Sequence, residues 1–499
     1  MKQLLAKLPP ELLTAVKQLA LSCPSAEIFL VGGAVRDLLL NRPTKDWDLM
    51  VRMVEAPDLE KALGLYGEVN LVGKSFGVFK WTPATWAGEA IDVALPRTEH
   101  VLAGTGQYRD FNIQSDSNLT VDEDLSRRDF TINALALNLS TSELIDPYGG
   151  QKDLENKIIR TVGEATERFN EDLSRALRGV RFACQLNFSI EPSTWSEIIK
   201  SANRIASGKI NNEWLVPREI CARELLKSLI AAPVKALELF DDSGLLHELL
   251  PEVTAMKNCP QPPEWHSEGD VFNHTKLALA EIGGKNWKEF FGQTKPNLNA
   301  IIGILLHDIG KPLTLKTPER DGTDRIRTNE HDSVGAKLAS DICERLRLMN
   351  YVDPEYGQID QDILVWAIQH HLLLIYGNPD IMKPYTIYKY FLKDKTRGLI
   401  LQQIIFADSM ASHPVSGTPS AELLIKLRAR LPVIEAKLEH GQLVSLLSGH
   451  DIMTILKLPS GPLIGEIIEV LKEAQLAAQI KTKEEAITFI TKQYGAPTK

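Results

Sequence analysis

Short runs of hydrophobic residues, rich in β-branched and aromatic side chains, mark the first third of the chain. They cover 28–31, 47–51, 77–81 and 91–95, and the stretches between them have helical spacing. Runs of this length and composition are typical of β-strands. The pattern therefore predicts a mixed α/β domain that ends near residue 139.

Beyond a turn-forming segment at 146–150, strand signals fade and apolar residues recur with helical spacing. The predicted fold class is therefore α+β, with a mixed sheet first and a nearly all-α remainder. A proline cluster at 260–263 interrupts the helical pattern and indicates a domain boundary. We predict a head at 1–139, a helical neck and body at 140–260, a histidine-rich helical domain at 261–415 and a helical tail at 416–499.

Residues 1–20 carry leucines at helical spacing, interrupted by lysines and by two prolines, which indicates an amphipathic helix and not a signal peptide. The longest uncharged apolar run, 300–306, is far short of the ~20 residues that a membrane helix needs. The five cysteines lie far apart, without the paired spacing of disulfide frameworks or zinc knuckles. These features predict a cytoplasmic protein without a membrane span.

Composition sets limits on the partners. A chain of 499 residues with 44% hydrophobic residues can bury more than one core. Its formal net charge of -9 opposes the binding of a polyanion. A nucleic acid would therefore have to be held by local clusters of basic residues.

A glycine turn joins the first predicted strand to a predicted helix. The strand at 28–31 leads into Gly32 and Gly33, and Arg36 lies one turn inside the helix that follows. Backbone amides and the helix dipole converge on such a turn, so an anion could dock there. A plain structural turn is the alternative, and Arg36 favours the anion site.

Two aspartates open the next predicted strand. Asp46 and Asp48 flank Trp47, and a period of two places both carboxylates on one face of a strand. Adjacent carboxylates repel each other unless solvent or a cation neutralises them, and hard oxygen ligands suit Mg²⁺ in a phosphoryl-transfer site. Asp92 interrupts the apolar run 90–94 and could approach the same ions. The alternatives are a solvated strand end for the pair and a salt-bridged edge position for Asp92.

Four motifs, in this order, resemble the class II family of CCA-adding tRNA nucleotidyltransferases and poly(A) polymerases. They are LVGGAVRD at 30–37, DWD at 46–48, RRDFTINAL at 127–135 and DPYGG at 146–150. The resemblance implies that the head is a DNA polymerase β-like palm in which Asp46 and Asp48 bind two catalytic Mg²⁺ ions. It also implies that the triphosphate and sugar of the nucleotide are contacted by Gly33, Arg36 and Arg128.

Three arginines in the segment 169–182 are spaced by three residues. If the segment forms one helix, as its pattern predicts, Arg175, Arg178 and Arg181 follow one slanted stripe. From the residues alone, a solvated helix face with intrahelical ion pairs is an equally good interpretation.

In the family this helix lies in the neck, and its Glu-Asp-x-x-Arg segment selects the incoming base without a nucleic-acid template. The resemblance implies that Asp172 and Arg175 together accept cytosine and adenine, because a carboxylate accepts from an exocyclic amino group and a guanidinium donates to ring nitrogens or a carbonyl. Arg178 and Arg181 would then face the phosphates. The chain has Leu173 and Ser174 where the family usually has a pair such as Pro-Leu, a change that lies between the two base-reading residues.

The polar segment 98–124 lacks a periodic pattern, which predicts a mobile loop. In the family a loop at this place helps the enzyme switch from C to A addition, and enzymes that add only C tend to lack it. The resemblance therefore implies addition of C, C and A to the 3′ end of tRNA from CTP and ATP. An enzyme that adds only A, or a poly(A) polymerase on the same scaffold, stays open as an alternative. We predict that a local tRNA track is lined by Arg204, Lys209, Arg218, Arg223 and Lys227.

Potential metal ligands recur through the helical region after 260. His307 and Asp308 lie between apolar residues, and a buried imidazole beside a carboxylate needs a partner or a metal ion. The order of ligands resembles the HD phosphohydrolase domain, which one branch of bacterial tRNA nucleotidyltransferases carries after the body. The resemblance implies a dinuclear centre held by His274, His307, Asp308, His331, His371 and Asp408.

Hydrolysis of a phosphomonoester or of a 2′,3′-cyclic phosphate is what the HD resemblance implies. The metal could be Ni²⁺, Mn²⁺, Mg²⁺ or Fe²⁺, since mixed nitrogen and oxygen ligands do not select one sharply. A domain kept only for its fold is one alternative. Another is an HD phosphohydrolase with an inactive head, in which the palm aspartates would have no role.

Overall fold

The computed structural model describes residues 2–71, 78–101, 111–438 and 443–495. The chain divides into two compact units, Met1–Leu249 and Leu250–Lys499. The first holds a mixed sheet with helices and the second is nearly all helical, which confirms the predicted α+β class. Within the described ranges, no helix is both long enough and apolar enough to span a bilayer.

A seven-stranded sheet forms the framework of the first unit. Its strands lie in the order β3, β4, β5, β2, β1, β8 and β9, and all neighbours are antiparallel except β2 and β5. The four predicted strands are confirmed as β1, β2, β4 and β5. The strands of this unit, including three short pairs outside the sheet, are β1 Glu27–Val31, β2 Asp48–Arg52, β3 Gly67–Leu71, β4 Val78–Pro83, β5 Ile91–Ala94, β6 Arg97–Val101, β7 Phe111–Ser115, β8 Ala136–Asn138, β9 Leu144–Ile145, β10 Ile158–Ile159, β11 Ser189–Ile190, β12 Lys209–Ile210 and β13 Glu213–Trp214.

The prediction of an unstructured loop at 98–124 is wrong for the two ends of this segment. The strands β6 and β7 pair with each other in an antiparallel ladder. A helix follows at Val121–Ser126, and Thr120 and Glu123 form a capping box at its start. The sequence did not reveal the ladder because both strands are rich in polar residues, and the ladder depends on the hydrogen bonds that each strand makes with the other. Residues 102–110 of the predicted loop lie outside the described residues.

Helices cover the sheet and build the rest of the first unit. The main core joins the N-terminal helices to the sheet and to the end of α8, with Leu12, Trp81, Leu137 and Phe188 all buried. The helices are α1 Lys2–Leu5, α2 Pro10–Ser22, α3 Gly33–Leu39, α4 Ala56–Gly64, α5 Val121–Ser126, α6 Gly150–Asn156, α7 Ala165–Glu171, α8 Ser174–Leu186, α9 Pro192–Ser207, α10 Arg218–Ala231, α11 Pro233–Asp242 and α12 Leu245–Leu249.

The prediction of one continuous helix over 169–182 is wrong. Helix α7 ends at Glu171, and Asp172 has an extended backbone with φ -150° and ψ 105° before α8 begins at Ser174. The Asp172 carboxylate accepts a hydrogen bond from the backbone N–H of Ser174 at 2.8 Å. An aspartate that satisfies a free N–H at a helix start competes with helix continuation, which explains the break.

The second unit surrounds a fully buried helix, α16 (Leu298–Leu306). A separate small core near the C-terminus includes Ile452, Ile467 and Ile490. A π-helical turn, Tyr388–Leu392, precedes α23. The helices and the one strand pair are α13 Pro251–Thr254, α14 Val271–Glu281, α15 Lys285–Phe291, α16 Leu298–Leu306, α17 Lys311–Thr314, α18 Pro318–Asp321, α19 His331–Leu346, β14 Val352–Asp353, β15 Gly357–Gln358, α20 Gln361–Gln369, α21 Leu373–Tyr376, α22 Pro384–Ile387, α23 Lys395–Ala411, α24 Glu422–Glu435, α25 Gly449–Leu456, α26 Pro462–Leu476 and α27 Lys483–Tyr494.

Candidate active sites

The parallel pairing of β2 and β5 brings two of the predicted palm carboxylates together. Asp48 and Asp92 are partners across the two strands. Strand β2 begins at Asp48, so Asp46 lies in the preceding segment and is exposed. The strand starts later than its apolar pattern indicates, and the expectation that Asp46 and Asp48 share one face stays a prediction.

The three aspartates nevertheless influence one another electrostatically. Burial raises the pKa of Asp48, and the negative charges of Asp92 and Asp46 raise this pKa further, against the opposing charge of Arg128. Lys80 donates a hydrogen bond to Asp92 at 2.8 Å, and this contact raises the pKa of the lysine. A group of acids that repel one another in this way favours a bound cation.

The donor set fits Mg²⁺ only together with a substrate. In the palm as far as the structure describes it, no three ligand residues come within 4.8 Å of one another. Magnesium is commonly held by one or two carboxylates, with substrate phosphates and water completing its shell. Asp46 and Asp48 are sufficient for this arrangement, while Asp92 is engaged by Lys80.

Gly32 allows an arginine to approach the turn between β1 and α3. Its φ is 72°, a region that favours glycine, and a Cβ at this position would lie 2.5 Å from Nη1 of Arg128. Arg128 also pairs with Asp124 at 3.3 Å and interacts with the charge of Asp48. The turn, Arg128 and the carboxylate of Asp48 are thus brought together. The geometry requires glycine at Gly32, and the nucleotide contact expected of Gly33 stays a prediction.

Replacing Gly32 with alanine is expected to lower the free energy of unfolding by about 1–2 kcal/mol, because alanine is strained at positive φ and its methyl group would displace Arg128. Urea unfolding of the full chain measures the change. Gly33→Ala is the matched control, since its Cβ would make an ordinary contact of 3.5 Å with Arg36. Equal loss of stability in both variants would contradict this account of the turn.

Arg36 and Arg178 are joined through two residues of the RRDFTINAL motif. Arg36 donates to the side-chain oxygen of Asn133 at 2.7 Å, and Asn133 donates to Asp129 at 3.0 Å. Arg178 pairs with the other oxygen of Asp129 at 2.6 Å. Burial alone would raise the pKa of Asp129, but Arg178 and Asn133 outweigh it and lower this pKa. Sequence reasoning missed Asn133 and Asp129 as members of the site, although both lie inside a motif that it identified.

The predicted base-reading residues lie at the junction of α7 and α8. Arg175 is buried and contacts Glu171 at 2.5 Å and the backbone carbonyl of Arg127 at 3.1 Å. Burial raises the pKa of Asp172, and the nearby charge of Arg175 opposes this shift. The roles of Asp172 and Arg175 in base selection stay predictions.

Arg181 has a different environment. It is buried, pairs with Glu224 of α10 at 2.5 Å and stacks on the ring of Phe182 at 4.1 Å. Because Arg175 and Arg181 are both buried, the alternative of a solvated arginine face is wrong. The contacts of Arg181 join α8 to α10, and its role toward the phosphates stays a prediction.

Several residues of the predicted tRNA track contact neighbouring side chains. Lys209 and Arg218 flank the ring of Trp214, at 3.9 and 3.7 Å. Arg204 donates to Asn170, and Arg223 pairs with Glu224. Lys227 is half-buried in α10. The track stays a prediction.

In the second unit, the structure brings all six predicted HD ligands together. One group consists of His274, His307 and Asp408, and the other of Asp308, His331 and His371. Each group offers ligand atoms within 4.8 Å of one another, and all six residues are buried. Six ligands in two adjoining groups are the arrangement that a dinuclear metal centre needs.

Asp308 connects the two groups. Its Oδ2 lies 3.3 Å from Nε2 of His307, and its Oδ1 lies 3.3 Å from Nε2 of His331. His307 Nε2 is buried and has no hydrogen-bond partner among the described residues. An unpartnered buried ring nitrogen beside a bridging carboxylate fits a metal ligand better than a packing residue.

The imidazole rings are held with Nε2 toward the centre. His307, His331 and His371 each place Nδ1 within hydrogen-bond distance of a backbone carbonyl, at 2.6 to 2.8 Å. His274 instead places Nδ1 2.8 Å from the carboxylate of Glu268. A partner at Nδ1 fixes the tautomer that leaves Nε2 free for a metal.

Charges inside the centre shift its pKa values in opposite directions. Burial alone would lower the pKa of His274, but hydrogen bonds to Asp408 and Glu268 outweigh it and raise this pKa to about 9. Burial, together with the charges of His307 and His331, lowers the pKa of His371 to about 4. The buried Lys311 lies 2.6 Å from Asp308 and donates to Gln261. Sequence reasoning missed Glu268 and Lys311, because their contacts with the ligands arise only in the folded chain.

We expect Glu268→Ala to weaken metal binding at the HD centre by about 10- to 100-fold, since partners that orient a ligand histidine typically contribute that much. A titration of the metal-free full chain with Mn²⁺ against a chelating dye measures it. Glu319→Ala, at an exposed acid of the same unit, is the charge-matched control. Unchanged affinity in Glu268→Ala would show that the carboxylate does not position His274.

Two family models match the chain in separate regions. The "Poly A polymerase head domain" matches residues 28–160, which contain the palm carboxylates. The "HD domain" matches residues 275–410, which contain five of the six HD ligands, all except His274. The two matches confirm the two resemblances on which the sequence analysis rests.

Relatives with similar sequences match about two thirds of the chain. A "Multifunctional CCA protein" of Stenotrophomonas maltophilia is 37% identical over 327 residues, which are 64% of this chain and 72% of the relative. A protein of the same name from Xanthomonas campestris pv. campestris is 36% identical over 352 residues, 69% of this chain and 75% of the relative. At this identity and coverage the relationship extends beyond a shared fold.

Solved structures show the same fold at lower identity. The Bacillus stearothermophilus CCA-adding enzyme in complex with CTP covers 97% of this chain and 98% of its own, with a TM-score of 0.64 and 21% identity. The Thermotoga maritima CCA-adding enzyme complexed with tRNA has a TM-score of 0.58 and 19% identity over 99% of this chain and 98% of its own. With the family models and the relatives, this places the chain in the family of CCA-adding tRNA nucleotidyltransferases and poly(A) polymerases, as a nucleotidyltransferase that carries an HD domain.

Proposed function

We propose that this chain adds C, C and A to the 3′ end of tRNA, with CTP and ATP as substrates, and that it acts in the cytoplasm. The observation that carries the proposal is the convergence of Asp48, Arg128 and the Gly32 turn at one end of the palm sheet. The relatives named multifunctional CCA proteins support it, since they are 36–37% identical over 327 and 352 residues.

Different palm residues have different proposed roles in phosphoryl transfer. Asp46 and Asp48 would hold Mg²⁺. When bound, Mg²⁺ would supply Lewis-acid stabilisation of the charge that develops on the phosphates. Arg36 and Arg128 would bind the triphosphate beside the Gly32 turn, and Gly33 of the same turn would also contact the nucleotide. Positioning of the triphosphate in line with the tRNA 3′-hydroxyl requires no covalent intermediate with the protein.

Base selection falls to the junction of α7 and α8. The Asp172 carboxylate would accept from the exocyclic amino group of cytosine or adenine, and Arg175 would donate to a ring nitrogen or carbonyl. Uracil and guanine offer the opposite pattern at the corresponding atoms. Arg178 would contact the nucleotide near its phosphates while it is held by Asp129.

The HD region carries a second proposed activity, hydrolysis of a phosphomonoester or a 2′,3′-cyclic phosphate. His274, His307 and Asp408 would hold one divalent ion, and Asp308, His331 and His371 the other. Such ions, when bound, would supply an activated water for attack on phosphorus. A relic without activity would not need to keep all six ligand side chains buried, converging and oriented by hydrogen bonds.

The proposed domains are the palm at 1–139, the neck and body at 140–260, the HD domain at 261–415 and a helical tail at 416–499. The tail would add structure without its own chemistry. A core within it that includes Leu447, Ile464 and Ile480 supports its treatment as a separate small domain.

A nucleotide-omission assay tests the transferase. Purified full chain is incubated with Mg²⁺ and a tRNA that ends before CCA, with CTP alone, ATP alone, both, or UTP and GTP. We expect two C residues with CTP alone, complete CCA with both, and little addition from UTP or GTP. Addition of A without C would favour the A-only or poly(A) alternative and contradict CCA addition.

A further inference from the structure

A recess of about 560 Å³ lies in the second unit, between the end of α20 and the π-helical turn. Its walls carry three rings, from Trp366, His370 and Tyr390, and three basic side chains, from Lys389, Lys393 and Arg397. Sites for small molecules typically have volumes of about 300–1,000 Å³. The recess is therefore large enough for one nucleotide.

The three rings are packed against one another. The planes of Trp366 and Tyr390 are 22° apart, with centroids at 6.1 Å, and the ring of His370 lies 5.0 Å from each. His370 Nδ1 donates to the backbone carbonyl of Trp366 at 2.7 Å, which fixes its ring. All three are half-buried, so they are held in place while part of each ring faces the recess.

The π-helical turn explains how this wall forms. Tyr390 lies within the turn Tyr388–Leu392, and Lys389 and Lys393 lie in it or directly after it. A π-helical turn inserts an extra residue and redirects the side chains around it, a feature that is frequent at functional sites. None of these residues belongs to the palm or to the six HD ligands.

Positive charge predominates in the recess. Asp394 is its one acid, and this carboxylate is engaged by the backbone N–H of Arg397 at 3.0 Å and by the Arg397 side chain at 3.6 Å. Lys389 lies 3.7 Å from Glu469, a distant and exposed pair. For Lys393, no ion-pair partner is found in the described part of the chain, and it is exposed.

Aromatic rings bordered by cations are the chemistry that binds a base together with a phosphate. Bases stack on aromatic side chains, and lysine and arginine hold the phosphate. An inorganic anion would use only the cations, and an apolar ligand only the rings. We propose that this recess binds a nucleotide, either free or at the end of an RNA, through stacking on Trp366 and Tyr390 and through a phosphate contact with Lys393.

The proposal is independent of whether the HD centre hydrolyses anything. It does suggest why such a site would be useful there, since His370 directly precedes the ligand His371. A nucleotide in the recess would therefore lie near the chain segment that contributes His371 to the proposed metal centre. Binding is therefore measured separately from turnover.

Photo-crosslinking with 8-azidoadenosine 5′-monophosphate locates the site on the full chain in the presence of EDTA. We expect labelled peptides that contain Trp366, His370 or Tyr390, identified by mass spectrometry. Competition distinguishes the source of the ligand, because unlabelled AMP or a four-nucleotide RNA should each protect these peptides, and the better competitor identifies the form preferred. Labelling confined to the palm, or protection by inorganic phosphate as good as by AMP, would overturn the proposal.

Two variants test the two halves of the site. Trp366→Leu and Lys393→Glu should each reduce labelling of the recess by about tenfold, which is a typical contribution of a stacked base or a phosphate contact. Trp366→Phe should retain most of the labelling. Lys337→Glu, at an exposed lysine outside the recess, is the charge-matched control and should have no effect.

An assay of hydrolysis at the metal centre distinguishes the proposed binding site from the proposed phosphohydrolase activity. Hydrolysis of p-nitrophenyl phosphate, which needs no base-binding site, should be unchanged in Lys393→Glu. Loss of labelling with unchanged hydrolysis supports the recess as a binding site. If the wild-type chain does not hydrolyse this ester, the HD hypothesis fails while the labelling result still decides the proposal. Unchanged labelling in both Trp366→Leu and Lys393→Glu would overturn it.

Discussion

Asp48→Asn is expected to reduce incorporation of CMP and AMP into tRNA by about a thousandfold or more, because it removes one of two carboxylates proposed to hold the catalytic ions. The side chain keeps its size, so the sheet should be unaffected. Asp58→Asn, at an exposed aspartate of α4, makes the same chemical change away from the site and should retain activity. Single-turnover incorporation measures both variants.

The same substitution should not destabilise the metal-free protein. Burial and the charges of Asp92 and Asp46 raise the pKa of Asp48 in the folded state. A raised folded-state pKa means that the ionised carboxylate is less favourable in the folded than in the unfolded chain at neutral pH. Asparagine carries no charge, so the free energy of unfolding in EDTA should be equal or higher. A loss of both activity and stability would instead indicate a structural role.

His307→Ala is expected to abolish phosphohydrolase activity, with a fall of about a thousandfold or more, and to leave CCA addition unchanged. Nε2 of His307 lies 3.3 Å from Asp308, and it has no hydrogen-bond partner in the described part of the chain, so the substitution removes a proposed metal ligand. His247→Ala, at an exposed histidine of α12, is the matched control. Hydrolysis of p-nitrophenyl phosphate and of a 2′,3′-cyclic nucleotide, with Ni²⁺ and Mn²⁺ supplied separately, measures the effect.

The two outcomes together separate the competing functions. A transferase with an independent HD centre loses one activity in each variant. An HD phosphohydrolase with an inactive head would keep all of its activity in Asp48→Asn. Loss of CCA addition in His307→Ala, with the fold intact by circular dichroism, would contradict the independence of the two centres.

Local patterns were sufficient to predict the central strands of the palm. The run at 28–31 is apolar on both faces of a buried strand, and the run at 91–95 is apolar except for Asp92, so their composition alone indicates strands. Strand β3, Gly67–Leu71, was missed because its sequence, GEVNL, mixes polar residues with apolar ones. It lies at the edge of the sheet, where such composition is tolerated and the pairing partner decides the structure.

The six proposed HD ligands could be selected by residue type and order in the sequence, but the distances between them could not be predicted. His274 and Asp408 approach to 3.0 Å although 134 positions separate them in the chain. Glu268 lies in the segment 264–270, which resembles the entry segment of HD domains, but its contact with His274 could not be predicted from the sequence. A partner of this kind becomes visible only when tertiary packing has brought it to the ligand.

In the palm, too, individual residues could be predicted from the sequence, but the contacts between them could not. The motif RRDFTINAL identified Arg128, but the network from Arg36 through Asn133 and Asp129 to Arg178 required coordinates. The break at Asp172 was missed because helical periodicity continues across it, while the hydrogen bond to Ser174 that causes it is a local cap. Burial of Arg175 and Arg181 likewise depends on packing between helices.

Anomalous X-ray diffraction from crystals of the full chain soaked with Mn²⁺ and CTP tests the central claim most directly. Mn²⁺ occupies magnesium sites with oxygen ligands and can be located by its anomalous signal. The account predicts manganese bound by the carboxylates of Asp46 and Asp48, with the CTP phosphates on the same ions and Arg128 beside them. CTP bound in the palm with no manganese at either aspartate would contradict it.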